Sequence, residues 1–320
     1  MNYQELFSDY FENQKIGRNL ENLYEPIRYI LSLGGKRIRP VLTLMACDIF
    51  GENTQKALPA AMAVEVFHNF SLIHDDIMDN APLRRGNQTV HEKWNLNTGI
   101  LSGDAMLILA YQYFEQYKPE IFRELAKLFS KTALEVCEGQ QWDIDFEDRD
   151  DVLVEEYLKM IEYKTAVLVG AALQMGAIVA ETSEENKKDI YDFGLNLGIA
   201  FQLQDDYLDT FGNSETFGKQ IGGDIIENKK TYLYLKAISD GNKDEKEQLL
   251  HLYSINPKEN HDKIESVKSI FRSSKSDQKT KQAIEEYTQK AFDILKNMDI
   301  PTDKKEQLKE FGEGLMDRIV

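Results

Sequence analysis

Two cysteines in 320 residues cannot build a disulfide framework. Cys47 and Cys137 each sit in apolar, helix-like surroundings, so two buried thiols in a reducing compartment are expected, and neither a zinc site nor a cysteine nucleophile is indicated. Glycine and proline are sparse as well, at 19 and 7 residues, and no Gly/Ser or Ser/Pro tract interrupts the middle of the chain. Flexible linkers are thereby excluded, and residues 1–320 are expected to form a single domain, although the length alone suggests about two. Basic residues are outnumbered 38 to 55, for a net charge of −17, which argues against nucleic acid or an anionic membrane as a primary partner. No apolar run is long enough to span a bilayer: the longest, 166–180, is broken by Gly170, Gln174 and Gly176. The first twenty residues are polar and acidic, with no basic region followed by an apolar core, so no secretory signal is expected and a cytoplasmic location is.

Strict alternation of apolar and polar residues is also missing, which removes the usual signature of a sheet. What remains is 42% hydrophobic residues, enough for a sizeable core, recurring at helical spacing as in Leu20, Leu23, Ile27, Ile30 and Leu31. The reading is all-α, with helices near 3–14, 18–33, 37–50, 54–79, 99–116, 119–140, 152–162, 164–181, 184–211, 229–238, 243–252, 259–271, 276–298 and 303–318. Thr182 with Glu185 and Asp303 with Glu306 have the spacing of capping pairs. Residues 80–86 and 212–224 are expected as loops, and the Lys/Ser-rich stretch 254–282 as mobile surface. Trp94 and Trp142 carry no pattern of their own and are assigned to packing.

Against this background one motif occurs twice. Asp75-Asp76-Ile77-Met78-Asp79 and Asp205-Asp206-Tyr207-Leu208-Asp209 are both DDxxD. Residues four apart share a helix face, so Asp75 with Asp79, and Asp205 with Asp209, present paired carboxylates to one point. Each cluster follows an apolar helical run, Val64 to Ile73 and Leu195 to Leu203, where uncompensated carboxylates are costly. A hard cation is the natural partner, and Mg²⁺ binds in this way, through one or two carboxylates plus substrate phosphates.

Basic groups flank the acidic ones: Gly34-Gly35-Lys36-Arg37-Ile38-Arg39-Pro40, then Arg84-Arg85-Gly86, then Gly218-Lys219 with Lys229-Lys230-Thr231. Cations beside metal-loaded carboxylates suit a diphosphate, which needs positive charge on several sides. With Leu-Ile-His-Asp-Asp-Ile-Met-Asp at 72–79, Leu-Arg-Arg-Gly at 83–86, Gln-Leu-Gln-Asp-Asp-Tyr-Leu-Asp at 202–209 and Gly-Lys-Gln-Ile-Gly-Gly-Asp at 218–224, the chain resembles the trans-isoprenyl diphosphate synthases of the polyprenyl synthetase family.

That resemblance implies one helical bundle around a deep central cavity, usually a homodimer, with the two acidic clusters facing each other near the mouth. It implies that Asp75, Asp79 and Asp205 bind Mg²⁺, three ions per active site, supported by Asp76, Asp206 and Asp209. Lys36, Arg39, His68 and Arg85 match the family's isopentenyl diphosphate positions. Arg84, Lys164, Thr165, Gln202, Lys219 and Lys229 match those holding the allylic diphosphate, Lys229 after one inserted residue. His68 also lies seven residues before Asp75, on the same helical face. The implied reaction ionises the allylic C–O bond, and no Ser/His/Asp or Cys/His set is required or found.

Phe70 and Phe67 precede Asp75 by five and eight residues, roughly 7.5 and 12 Å down the helix. In similar synthases a bulky aromatic five residues before the first aspartate accompanies short products. With Ser71 in place of a second aromatic and no two-residue insertion in the first cluster, the pattern is closer to archaeal geranylgeranyl synthases, and C20 is favoured over C15. A class I terpene cyclase would carry an Asn/Ser/Glu pattern at its second metal site. A phosphohydrolase built on His74-Asp75 would need further metal-binding histidines, and the chain holds five histidines in all. An inactive regulatory subunit would have lost an acidic cluster.

Overall fold

The computed structural model describes residues 2–212 and 221–317. Most of them are helical, and the only sheet among them is a hairpin of two-residue strands. In chain order the helices are α1 (Tyr3–Glu12), α2 (Glu21–Ser32), α3 (Ile38–Ile49), a 3-10 turn Thr54–Ala57, α4 (Leu58–Met78), the hairpin β1 (Leu83–Arg84) and β2 (Asn87–Gln88), α5 (Val90–Lys93), α6 (Leu96–Phe114) and α7 (Pro119–Glu147). There follow α8 (Val154–Ile161), a π turn Glu162–Ala166, α9 (Val167–Val179), α10 (Glu184–Phe211), α11 (Gly223–Ile226), α12 (Tyr232–Asp240), α13 (Lys243–Tyr253), α14 (His261–Ser273), α15 (Ser276–Asn297) and α16 (Thr302–Met316).

The chain divides into two compact units, Met1–Ser130 with Ala171–Lys188, and Lys131–Gly170 with Asp189–Val320. In the first, α4 is apolar nearly all round and lies at the centre, packed on α3 and α6. Small residues set how close these helices come. A Cβ on Gly103 would stand 2.2 Å from His74 Nε2 and one on Gly99 2.8 Å from Ile77 Cδ1, so α6 lies directly against the acidic end of α4. In the second unit a core including Tyr157, Ile161, Leu203, Leu208, Leu233 and Phe271 surrounds the end of α10 that carries the second acidic cluster.

Several expectations need correction. Cys137 is exposed, because it falls on the solvent stripe of amphipathic α7; only Cys47 is buried. The 254–282 stretch is not surface throughout. Val267, Ile270 and Phe271 form a buried face of α14, and Ser276 and Thr280 are buried at the start of α15. The cap of α10 is Ser183, whose Oγ accepts from Asn186 N at 3.2 Å, rather than Thr182. The α16 terminus has Pro301 at the cap position and no side-chain cap. Trp94 meets Tyr29 edge-on at 5.2 Å and Trp142 stacks on Tyr163 at 5.3 Å, both packing contacts as expected.

Candidate active site

The first unit gathers its basic residues through three unusual backbone positions. Gly34 and Gly35 have φ of 77° and 127°, and Arg37, at the cap of α3, has φ of 50°. Arg37 is held there by the buried Glu65 carboxylate and by the Leu31 carbonyl oxygen at 2.5 Å. The bend turns α3 so that Arg39 Nη1 lies 3.3 Å from His68 Nε2 on α4. Arg85 and Gly86, with φ of 52° and 76°, form the two-residue turn of the β1–β2 hairpin, a geometry that matches strand twist but is unusual for an arginine. From this turn Arg85 donates to the Gly34 carbonyl, and a Cβ on Gly35 would stand 2.8 Å from its guanidinium. Lys36 is exposed beside them. His68 is held well below the usual histidine range, first by burial and then by the charges of Arg39, Arg85, Arg84 and Arg37. It is therefore a neutral hydrogen-bonding group among cations.

The first acidic cluster occupies the C-terminal end of α4, with Asp79 as the capping residue. This is the negative end of the helix dipole, where carboxylates are disfavoured and cations welcome. Arg84 partly offsets the charge: its Nε and Nη2 lie 2.7 and 2.6 Å from Asp76 Oδ1, and Nη2 lies 3.7 Å from Asp75 Oδ2. Asp76 is 1% exposed, and its Oδ2 accepts no hydrogen bond from the described residues. Burial, only partly countered by Arg84, raises its carboxyl above the usual range.

The second unit repeats this arrangement. Asp205, Asp206 and Asp209 lie near the C-terminal end of α10, next to a pocket of about 110 Å³ lined by Asp143, Tyr157, Lys164, Thr165, Gln202, Asp206, Asp224, Lys229 and Lys230 among others. Thr165 Oγ1 donates to Gln202 Oε1 at 3.1 Å and Gln202 Nε2 donates to Asp206 Oδ1 at 3.0 Å, while the Tyr157 hydroxyl donates to Asp206 Oδ2. Lys164 Nζ pairs with Asp143 Oδ2 at 2.5 Å. Asp224 N donates to Asp209 Oδ2 at 3.0 Å, which brings a further carboxylate beside the cluster. Burial, together with the charges of Asp205 and Asp209, raises Asp206, and burial with Asp206 and Asp209 raises Asp224.

Lys164 and Thr165 owe their position to the π turn. One extra residue in a helical turn swings the following side chains out of register. The turn is gripped on two sides: a Cβ on Gly139 would lie 2.2 Å from Lys164 N, and one on Gly198 2.7 Å from Ala166 Cα.

The donor chemistry fits a hard divalent cation. All the candidate ligands are carboxylates, they sit at the negative ends of two helices, and a buried Asp76 oxygen lacks any hydrogen bond from the described residues. Among the described residues no three such groups already close into a cage.

Within the first unit, then, Arg39, His68, Arg84, Arg85, Asp75 and Asp76 come together. Within the second, Lys164, Thr165, Gln202, Asp206 and Lys229 share one pocket. Lys219 lies outside the described residues. Ser71 Oγ donates to the His68 carbonyl oxygen at 2.8 Å. Phe67 is fully buried, 5.5 Å from Phe70 and 5.0 Å from Phe129, and Phe70 lies 4.8 Å from the His74 ring. Several pocket residues carried no role in the sequence reading, among them Asp143, Tyr157, Asp224 and Lys230. Asp224 and Lys230 stood inside the noted motifs; Asp143 and Tyr157 had no motif to flag them.

The chain is similar to known proteins in both sequence and structure. A family pattern described as polyprenyl synthetase matches residues 20–271. The geranylgeranyl diphosphate synthase of Methanosarcina mazei is 43% identical over 223 residues, 69% of each chain. The geranylfarnesyl diphosphate synthase of Natronomonas pharaonis is 41% identical over 239 residues, 69% of this chain and 70% of its own. A crystal structure of a geranylgeranyl pyrophosphate synthase superposes with a TM-score of 0.96 at 53% identity, covering 99% of this chain and 98% of its own. An all-helical fold, two acidic helix ends and a pattern match over most of its length lead to one conclusion: the chain belongs to the polyprenyl synthetase family.

Proposed function

We propose that this protein is a short-chain trans-prenyltransferase that condenses isopentenyl diphosphate with an allylic diphosphate, dimethylallyl, geranyl or farnesyl, and releases diphosphate, with a C20 product favoured. The observation that carries the reading is the pair of DDxxD clusters at the C-terminal ends of α4 and α10, where the helix dipole opposes uncompensated carboxylates and one aspartate of each, Asp76 and Asp206, is buried. In this reading Asp75, Asp79 and Asp205 bind Mg²⁺, three ions per site, and Asp76, Asp206 and Asp209 orient or join them. When bound, magnesium supplies the charge that a departing diphosphate requires.

Arg39, His68 and Arg85 form the isopentenyl diphosphate pocket, with Lys36 at its rim. Neutral His68 offers a hydrogen bond without adding a fifth cation to the arginines around it. Lys164, Thr165, Gln202 and Lys229 take the allylic diphosphate, with Lys219 and Arg84 adding positive charge. The allylic C–O bond breaks with its electron pair leaving on diphosphate. The double bond of isopentenyl diphosphate attacks the resulting carbocation, and the proton lost in re-forming an alkene goes to the released diphosphate. Lys164 is preorganised by Asp143, and the π turn fixes where its ammonium and the Thr165 hydroxyl point. Such fixed charges stabilise developing charge without reorganising.

Residues 1–320 act as one catalytic domain and the enzyme as a homodimer. No helix among the described residues is long and apolar enough to cross a membrane. Incubation with isopentenyl diphosphate, Mg²⁺ and each allylic primer in turn, followed by chromatography of the dephosphorylated products, tests the reading: a longer prenyl alcohol is expected. A cyclic hydrocarbon from an allylic diphosphate alone would favour a terpene cyclase, and no product from any primer would favour an inactive subunit.

A further inference from the structure

We infer that Lys263 is a positioning residue for Lys229, fastening from α14 the turn that presents Lys229 to the pocket of the second unit. The inference rests on the reading that Lys229 holds the allylic diphosphate.

Lys263 is 3% exposed, and its Nζ donates to Asn228 Oδ1 at 2.6 Å and to the Ile255 carbonyl oxygen at 3.0 Å. Both acceptors are uncharged, and among the described residues no carboxylate pairs with it. Withdrawing an ammonium from water without a counter-ion costs several kcal/mol, and burial lowers the Lys263 amine below the usual lysine range. A methionine or leucine would fill the same space without that cost. What the lysine adds is two charge-assisted hydrogen bonds to two separate loops.

The acceptor is well chosen for control of Lys229. Asn228 directly precedes it and occupies the left-handed region at φ 58°, ending α11. Its Nδ2 donates to Asn256 Oδ1 at 2.9 Å, so Asn228 is tied to the 255–256 loop twice, directly and through Lys263. Lys229 N donates to the Asp224 carbonyl oxygen at 2.8 Å, joining the lysine to the segment that carries the buried Asp224. Lys229 Nζ pairs with Glu227 Oε2 at 3.0 Å, a contact from within the same turn, which cannot orient the turn as a whole. The other flank is fixed by Lys230, whose Nζ donates to the carbonyl oxygens of Phe146 and Glu147 at 3.2 Å. Further along α14, Ile264 packs where a Cβ on Gly222 would lie, at 2.9 Å. One helix thus braces both ends of the 222–228 segment.

The test is steady-state kinetics on the full chain with Mg²⁺, varying each substrate separately, for Lys263→Met, Asn228→Gly and the double variant. Glycine keeps the left-handed turn while removing the acceptor. Lys263→Met is expected to raise KM for the allylic diphosphate roughly tenfold, since an ångström of misplacement has effects of this order or larger, with KM for isopentenyl diphosphate unchanged within about twofold. Asn228→Gly should give the same pattern, and the double variant no more than the larger single effect, the signature of two groups in one interaction. Unchanged allylic KM in Lys263→Met, equal rises in both KM values, or additive single effects would overturn the inference. If Lys263→Met fails to fold, an unchanged allylic KM in Asn228→Gly overturns it alone. A wild-type enzyme that makes no product rejects the underlying reading, an outcome distinct from all of these.

Discussion

His68 is a neutral imidazole surrounded by Arg37, Arg39, Arg84 and Arg85, and that makes it a pH-sensitive point in the fold. Its folded value lies below that of an unfolded histidine near 6.5. Below about pH 6.5 the unfolded chain therefore takes up a proton that the folded chain refuses. The stability tied to His68 is fully present above that pH and is lost as pH falls through it. Thermal unfolding from pH 7.5 to 5 should lose stability more steeply for wild type than for His68→Gln; parallel curves would show that His68 is not held neutral. Phe67 and Phe70 separate two roles at the same scale. Phe67 is fully buried against Phe129, so Phe67→Ala should cost about 3–5 kcal/mol of stability, read from denaturant unfolding. Phe70 retains 8% exposure and is the better lever on chain length. Phe70→Ala should shift product beyond C20 on reversed-phase chromatography, and an unchanged product would remove its ring from the growing chain's path.

At the scale of elements, the π turn at 162–166 yields a prediction whose sign is unusual. Gly→Ala within a helix ordinarily stabilises by about 0.5–1 kcal/mol. Gly139→Ala in α7 should instead destabilise by about 1–3 kcal/mol, because the new methyl meets the Lys164 backbone rather than a movable side chain. It should also lower turnover by displacing Lys164 and Thr165, and a raised melting temperature would contradict this. The turn was not legible in the sequence, since one extra residue barely disturbs an apolar pattern that continues on both sides. The hairpin at 83–88 escaped for a related reason: two-residue strands are too short to alternate, and Arg85-Gly86 is not among the strong turn pairs. The longer helices were readable because their apolar stripes persist over several turns. In the 254–282 stretch the high average polarity hides the narrow buried stripe of Val267, Ile270 and Phe271. Among site residues, the aspartates and basic groups were legible through repetition and order. Asp143 and Tyr157 were not, because their roles arise from contacts with residues 21 and 49 positions away.

For the molecule as a whole, a net charge of −17 makes the local balance at each acidic cluster more demanding. Arg84 meets only part of the charge at α4, and at α10 burial, followed by neighbouring carboxylates, raises Asp206 and Asp224. Chelation with EDTA should therefore abolish turnover, and added Mg²⁺ should restore it; activity that survives chelation would place the charge balance elsewhere. The central claim is that the carboxylates of both clusters carry, through Mg²⁺, the charge of a departing diphosphate. The most direct measurement is the rate of prenyl transfer at saturating Mg²⁺ and substrates for Asp75→Ala/Asp205→Ala, with circular dichroism confirming the helical fold. The account predicts a fall in kcat of at least about a thousandfold. A folded double variant that turns over at the wild-type rate would contradict it.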